Sequence, residues 1–202
     1  VRSTQSVTRS NVNLGIALLI APLSSVPAGL PLESGIGDIL AATSIQDAED
    51  TFAAIREAKP GGLGKAAAQD VHDRPTVTLR EAMALAADRD RIAQQYATDF
   101  AGLLGRDRQW LVEEWNSAHD QAGRYSSNWW CDDPMYSVGM PPWEVAVIRF
   151  QLRLLATTPD SLVVRKCGHA IATELQHHAA VVVESAWPAE PSGWNQLLQF
   201  DQ

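Results

Sequence analysis

Apolar residues recur at spacings of three and four along most of the chain, which predicts helices and no convincing strand. Asn11 can cap a helix over residues 12–21, and Pro22 then ends it. Two prolines and a glycine make residues 26–31 a loop, and a short helix covers 37–42. Ser44 and Asp47 start the next helix, whose apolar face carries Ile45, Ala48, Phe52 and Ile55. It stops at Pro60-Gly61-Gly62-Leu63-Gly64. Thr78 and Glu81 form a capping box, and the helix behind it is expected to run to Leu104. At 100° per residue Asp90 falls inside its apolar stripe, Arg89 near the middle of that stripe, and Asp88 on the polar side. Asp90 is therefore expected to be clearly more buried than Asp88.

The second half reads less regularly. A short helix is expected over 110–119, within a segment whose 116–142 stretch is an irregular tryptophan-rich loop. Helices over 143–157 and 160–185 follow, with Pro159 near the start of the second. The fold class is all-α, and residues 1–202 are expected to form a single globular multi-helix domain.

Composition narrows the function classes. The 202 residues carry a formal net charge of -8. That argues against broad nucleic-acid binding, which needs clustered cations, but leaves small polyphosphates open. The apolar run from Leu14 to Leu23 is shorter than the roughly 20 residues that span a bilayer, so no membrane partner is expected and a buried core helix is. Cys131 and Cys167 form no CxxC pair, which suits a reducing, cytoplasmic setting.

Three blocks can carry chemistry. Asn11-Val12-Asn13-Leu14-Gly15 places two amides at a helix start, where free N–H groups attract anions, although the pattern alone favours a plain N-cap. Pro60 to Gly64, followed by Gln69-Asp70-Val71, could form an anion nest, or simply a helix stop and turn. Arg89-Asp90, with Pro159-Asp160-Ser161-Leu162 and Arg165-Lys166 further on, offers either a structural ion pair or a metal or substrate site.

Taken in order, these blocks resemble the triphosphoribosyl-dephospho-CoA synthase family. Asn11, Asn13, Leu14 and Gly15, then Ala21-Pro22-Leu23, match its asparagine block and the helix behind it. Asp47, Ala48, Phe52, Ile55 and Arg56 match a second pattern, and Pro60 to Gly64 and Gln69 to Val71 are intact. Ala86 to Tyr96 match Ala-Ala-x-Arg-Asp-x-Ile-Ala-x-x-Tyr, and Pro159 to Leu162 with Arg165, Lys166 and Gly168 complete the set. The family's upstream Lys-Pro-Gly-Asn and terminal Asn-Pro-Gly-Thr segments are not found, so the chain is expected to lack terminal family segments.

The resemblance implies an α-helical transferase that joins ATP and 3'-dephospho-CoA and releases adenine. It also implies Mg²⁺ on the triphosphate. Asp70 and Asp90 are then the catalytic candidates, and Asp70, Asp90 and Asp160 the metal ligands. Asn11, Asn13, Gly61, Gly62, Gly64, Gln69, Arg89, Arg165 and Lys166 are expected to bind substrate phosphates, with Asn11, Asn13, Gly61 to Gly64 and Asp70 lining one cleft. A paralogue acting on another acceptor of one-carbon or methanopterin-type pathways, or a non-catalytic helical nucleotide-binding fragment, are the alternatives. The sequence leaves the oligomeric state open.

Overall fold

The computed structural model describes residues 3, 6, 7, 13–59, 66, 68–125 and 141–185, with the backbone alone for 121–125. Among them the regular structure is helical and no strand occurs. No helix among the described residues is long and apolar enough to cross a membrane. The chain divides into two compact units, Val1–Leu104 and Gly105–Gln202.

The first unit holds α1 (Leu14–Ser24), α2 (Leu32–Ala41), α3 (Ile45–Ala58), α4 (Leu79–Ala84) and α5 (Arg91–Ala97). Its core is built on Ile36, Leu40 and Phe100, all fully buried, with Ala48, Leu79 and Tyr96 around them. Both expected capping boxes form. Ser44 Oγ accepts from the Asp47 N–H, while the Asp47 carboxylate accepts from the Ser44 N–H at 2.7 Å. Thr78 and Glu81 repeat the arrangement at α4.

These reciprocal bonds hold the Asp47 carboxyl below its ordinary range, the Ser44 hydroxyl being the largest cause and its N–H the next. The Thr78 N–H and hydroxyl do the same to Glu81. A carboxylate lowered in the folded state adds stability that is present above its unfolded value and is lost as pH falls through the folded one. The acid limb of the thermal stability curve should therefore flatten in Asp47→Asn relative to wild type. Ser44→Ala should cost about 1 kcal/mol at neutral pH, measured by urea unfolding.

Pro22 does not end α1, as the sequence suggests, but lies inside it. A proline has no N–H, so the Leu18 carbonyl four residues earlier loses its helical donor. The Tyr96 hydroxyl, 78 residues away, donates to that oxygen at 2.7 Å. Burial pushes this phenol up to about 12, so it keeps its proton at neutral pH. The stability it supports is whole below the ordinary phenol range and is lost as pH rises through about 12. Tyr96→Phe would strand the Leu18 oxygen and should cost about 1–3 kcal/mol. Pro22→Ala restores a helical N–H, so the Tyr96→Phe cost should shrink in that background. Equal costs in the two backgrounds, measured as a double-mutant cycle, would contradict the substitution of one donor for the other.

The expectation of a fully buried α1 holds on one side only: Leu14 and Pro22 are buried, whereas Ile16 and Ile20 are exposed. The expected continuous helix from Thr78 to Leu104 is also broken. It stops at Ala84, restarts at Arg91, and breaks again where Asp99 and Phe100 adopt left-handed φ values of 50° and 59°. Arg80 reaches the Asp99 carboxylate at 2.6 Å, and the Phe100 N–H donates to the Gln95 carbonyl at 2.8 Å, which holds this second break.

A π-helical turn, Gly102–Asp107, precedes α6 (Arg108–Tyr125). The second unit continues with α7 (Pro142–Thr157), α8 (Ser161–Cys167) and α9 (His169–Glu184). The short helix expected over 110–119 forms, and residues 120–125, expected in an irregular loop, continue it; 126–140 lie outside the described residues. The single helix expected over 160–185 is divided at Gly168, whose φ of 92° an L side chain would resist. Helix α7 packs along both α6 and α9, with Ala118, Val145 and Ala146 in one cluster and Leu152, Ala179 and Val182 in another. Between α6 and α7 the buried Glu114 receives Arg149 at 2.7 Å and Arg153 at 3.3 Å. The Arg153 and Arg106 guanidiniums also lie over the Trp110 ring, 4.4 and 4.7 Å from its centroid.

Candidate functional site

In the first unit the Gln-Asp-Val block forms a tight loop tied to α3. The Gln69 amide donates to Thr76 Oγ1 at 2.8 Å and accepts from the Thr76 N–H at 3.0 Å, closing the loop. The Asp70 carboxylate is 4% exposed and accepts from the N–H groups of Ala66 at 2.6 Å and His72 at 2.9 Å, one on each oxygen. Arg56, in the last turn of α3, donates to the Val71 carbonyl, and Arg74 pairs with Glu49 at 2.5 Å. Arg56 and Val71 belong to separate sequence blocks, and the fold brings them together. Gly61, Gly62 and Gly64, which run into this loop, lie outside the described residues, as does Asn11.

Asn13 stands at the N-cap of α1, where its side chain makes no capping bond to the helix. Gly15, two residues on in the first turn, has a clearer role. A Cβ there would lie 2.9 Å from Ile92 Cδ1, so the glycine allows α1 to close on α5.

Asp90 is not on a helix face. It is the N-cap of α5, with extended backbone, and its Oδ1 accepts from Ile92 N–H at 2.9 Å and Ala93 N–H at 3.0 Å. It is half-buried and Asp88 is exposed, so the expected order of burial holds, though the cause is the cap and not the helix phase. Arg89, placed near the middle of the apolar stripe by the helical wheel, is exposed. The phase does not carry across the turn that precedes the cap.

The second unit holds the remaining residues. Asp160 is the N-cap of α8, and its Oδ1 accepts from the N–H groups of Leu162 at 2.8 Å and Val163 at 2.9 Å. Arg165 is half-buried and Lys166 exposed in the last turn of α8, where cations complement the helix dipole. All three selected carboxylates thus accept backbone N–H groups, a structural duty the sequence left open.

Sequence reasoning missed a groove of about 540 Å³ in the first unit. One wall is the α1 face of Leu14, Leu18 and Pro22; the other is the α3 face of Asp47, Asp50 and Thr51. Among the described residues, none of the catalytic, phosphate-binding or metal candidates lines it, whereas the motif residues Leu14, Ala21, Pro22, Asp47 and Tyr96 do. The signal was present: residues 14, 18 and 22, and 47, 51 and 54, recur at three and four and must share faces.

Among the described residues no three of His, Cys, Asp or Glu gather into a metal-binding group. Mg²⁺ on a polyphosphate needs only one or two carboxylates, with phosphate oxygens and waters completing its shell. Asp160, whose two backbone bonds both fall on Oδ1, has the donor set for that; Asp70, with a backbone bond on each oxygen, suits it less.

Fold and site thus define an all-α protein whose motif residues sit at helix starts and in one buried turn. The sequence matches the family model CitG, ATP:dephospho-CoA triphosphoribosyl transferase, over residues 1–125 and 134–202, and the chain belongs to this family of transferases. No curated protein and no solved structure gives a significant match.

Proposed function

We propose that this chain transfers the triphosphoribosyl group of ATP to 3'-dephospho-CoA, giving 2'-(5''-triphosphoribosyl)-3'-dephospho-CoA and adenine. The observation that carries this reading is the family match, which runs through both units and takes in each motif block. In the reaction the acceptor's ribose hydroxyl oxygen forms a bond to C1' of the ATP ribose. The bond from C1' to the adenine nitrogen breaks, its electron pair leaves with adenine, and the hydroxyl proton passes to a base and on to the leaving group. Positive charge builds at C1' in the transition state, so a fixed carboxylate lowers the barrier.

Asp90 is assigned to that place. Two backbone N–H groups on Oδ1 lock its rotamer, so its charge is preorganised. Asp70 is assigned to positioning: its bonds to Ala66 and His72 fix the turn that leaves the glycine block. The backbone donors of Gly61, Gly62 and Gly64, the amides of Asn11 and Asn13, and the cations Arg89, Arg165 and Lys166 are each assigned to phosphates of the substrates, whereas the Gln69 amide is taken up by Thr76. Asp160 would hold Mg²⁺, which when bound neutralises part of the triphosphate charge.

The test is the mass of the product. ATP, Mg²⁺ and dephospho-CoA should yield a species equal to the two substrates less adenine. No such species with dephospho-CoA, but one with a different hydroxyl-bearing acceptor, would overturn the acceptor assignment.

A further inference from the structure

The groove between α1 and α3 is unexplained by the assignments above. Its α1 wall runs from Leu14 to Ser25, about 16 Å at 1.5 Å per residue, and is apolar for most of that length. The α3 wall is different: it presents Asp47 and, one turn on, the adjacent Asp50 and Thr51. Thr51 is only 9% exposed, and its hydroxyl has no hydrogen-bond partner among the described residues. The hydroxyl keeps some solvent exposure, since it is not among the fully buried polar atoms left without a partner, and it borders the groove. There it is placed for a partner that arrives with a ligand.

We infer that this groove holds the pantetheine arm of the acceptor, with the Thr51 hydroxyl and the Asp50 carboxylate bonding to its amide and hydroxyl groups. The inference rests on the transferase reading and adds a subsite to it. Charge and shape both select the arm. The Ser44 hydroxyl and N–H keep Asp47 anionic, and two carboxylates on one wall repel a triphosphate or a diphosphate. The occupant must therefore be an uncharged stretch of substrate. ATP offers only a compact base and sugar, whereas the groove is long and, among the described residues, Tyr96 is its one aromatic lining residue. The arm is long and narrow, with methyl groups to lie on Leu14, Leu18 and Pro22. Its amide N–H groups suit a wall of acceptors, as Asp50 Oδ1 already shows by accepting from Gln46 at 3.1 Å.

The experiment is titration of the ¹⁵N-labelled chain with pantetheine alone, and separately with ATP, followed by NMR. Pantetheine should shift the amides of Ala17, Ala21 and Thr51 in a saturable way. Ala17→Leu, which fills the groove, and Thr51→Val, which removes the hydroxyl at nearly constant shape, should each weaken pantetheine by about tenfold or more and leave ATP binding and melting temperature unchanged. In turnover both variants should raise KM for dephospho-CoA and not for ATP. Pantetheine shifts located elsewhere, or variants that weaken ATP instead, overturn the inference. If wild type binds pantetheine in the groove but releases no adenine, the transferase reading fails and the groove assignment stands. If adenine release is intact and pantetheine leaves the groove unmoved, only the groove assignment fails.

Discussion

Asp90→Asn is expected to lower adenine release by about 100-fold or more while changing folding stability by less than about 1 kcal/mol. The two halves of this expectation have separate causes. Asp90 caps α5 through Oδ1 bonds to the Ile92 and Ala93 N–H groups. Asparagine is as good an N-cap as aspartate, because its side-chain oxygen accepts the same bonds. What it removes is the charge, which matters little to the cap and much to a cationic transition state. Asp90→Ala should do both kinds of harm, losing the cap at a cost of about 1 kcal/mol as well as the activity. Asp88→Asn, two residues away and exposed, should leave rate and melting temperature near wild type. Full activity in a stably folded Asp90→Asn protein would remove Asp90 from the chemistry and leave it as a cap alone.

The largest stability loss is expected at Phe100. Its side chain is fully buried at the centre of the first unit's core, against Tyr96 at a ring separation of 5.7 Å. Phe100→Ala should cost about 3–5 kcal/mol, the range for emptying a large aromatic site. The backbone adds a second, sharper test. Phe100 and its neighbour Asp99 both have positive φ, which costs roughly 1–2 kcal/mol at a residue with a Cβ. Alanine keeps that strain and glycine relieves it. Phe100→Gly should therefore be no less stable than Phe100→Ala, reversing the usual order in which glycine is worse by about 0.5–1 kcal/mol. Urea unfolding of the two variants decides it.

The contrast between Thr78 and Asp90 shows what the sequence could reveal. Thr78 and Glu81 are three residues apart, and both bonds of their capping box are local, so the box was legible. Asp90 sits in a run whose apolar spacing continues unbroken on both sides, so the helical wheel carried its phase through. The turn before Asp90 follows from a carboxylate taking two N–H groups, a competition that periodicity does not register. Pro22 failed for a different reason. A proline normally ends a helix, and only the Tyr96 hydroxyl, far along the chain, relieves the exposed carbonyl. The site was legible as blocks and not as geometry. Gln69 looks like a ligand amide in sequence, yet both ends of that amide are bonded to Thr76. Thr51 looks like an ordinary helix position, and its unpartnered hydroxyl shows only once α1 and α3 face each other across a groove.

The most direct measurement is chromatography of the purified chain incubated with ATP and Mg²⁺, with and without dephospho-CoA. The account predicts free adenine that appears only when dephospho-CoA is present, in amounts equal to the acceptor consumed. Release of ADP or phosphate in place of adenine, or adenine release that does not depend on dephospho-CoA, would contradict it.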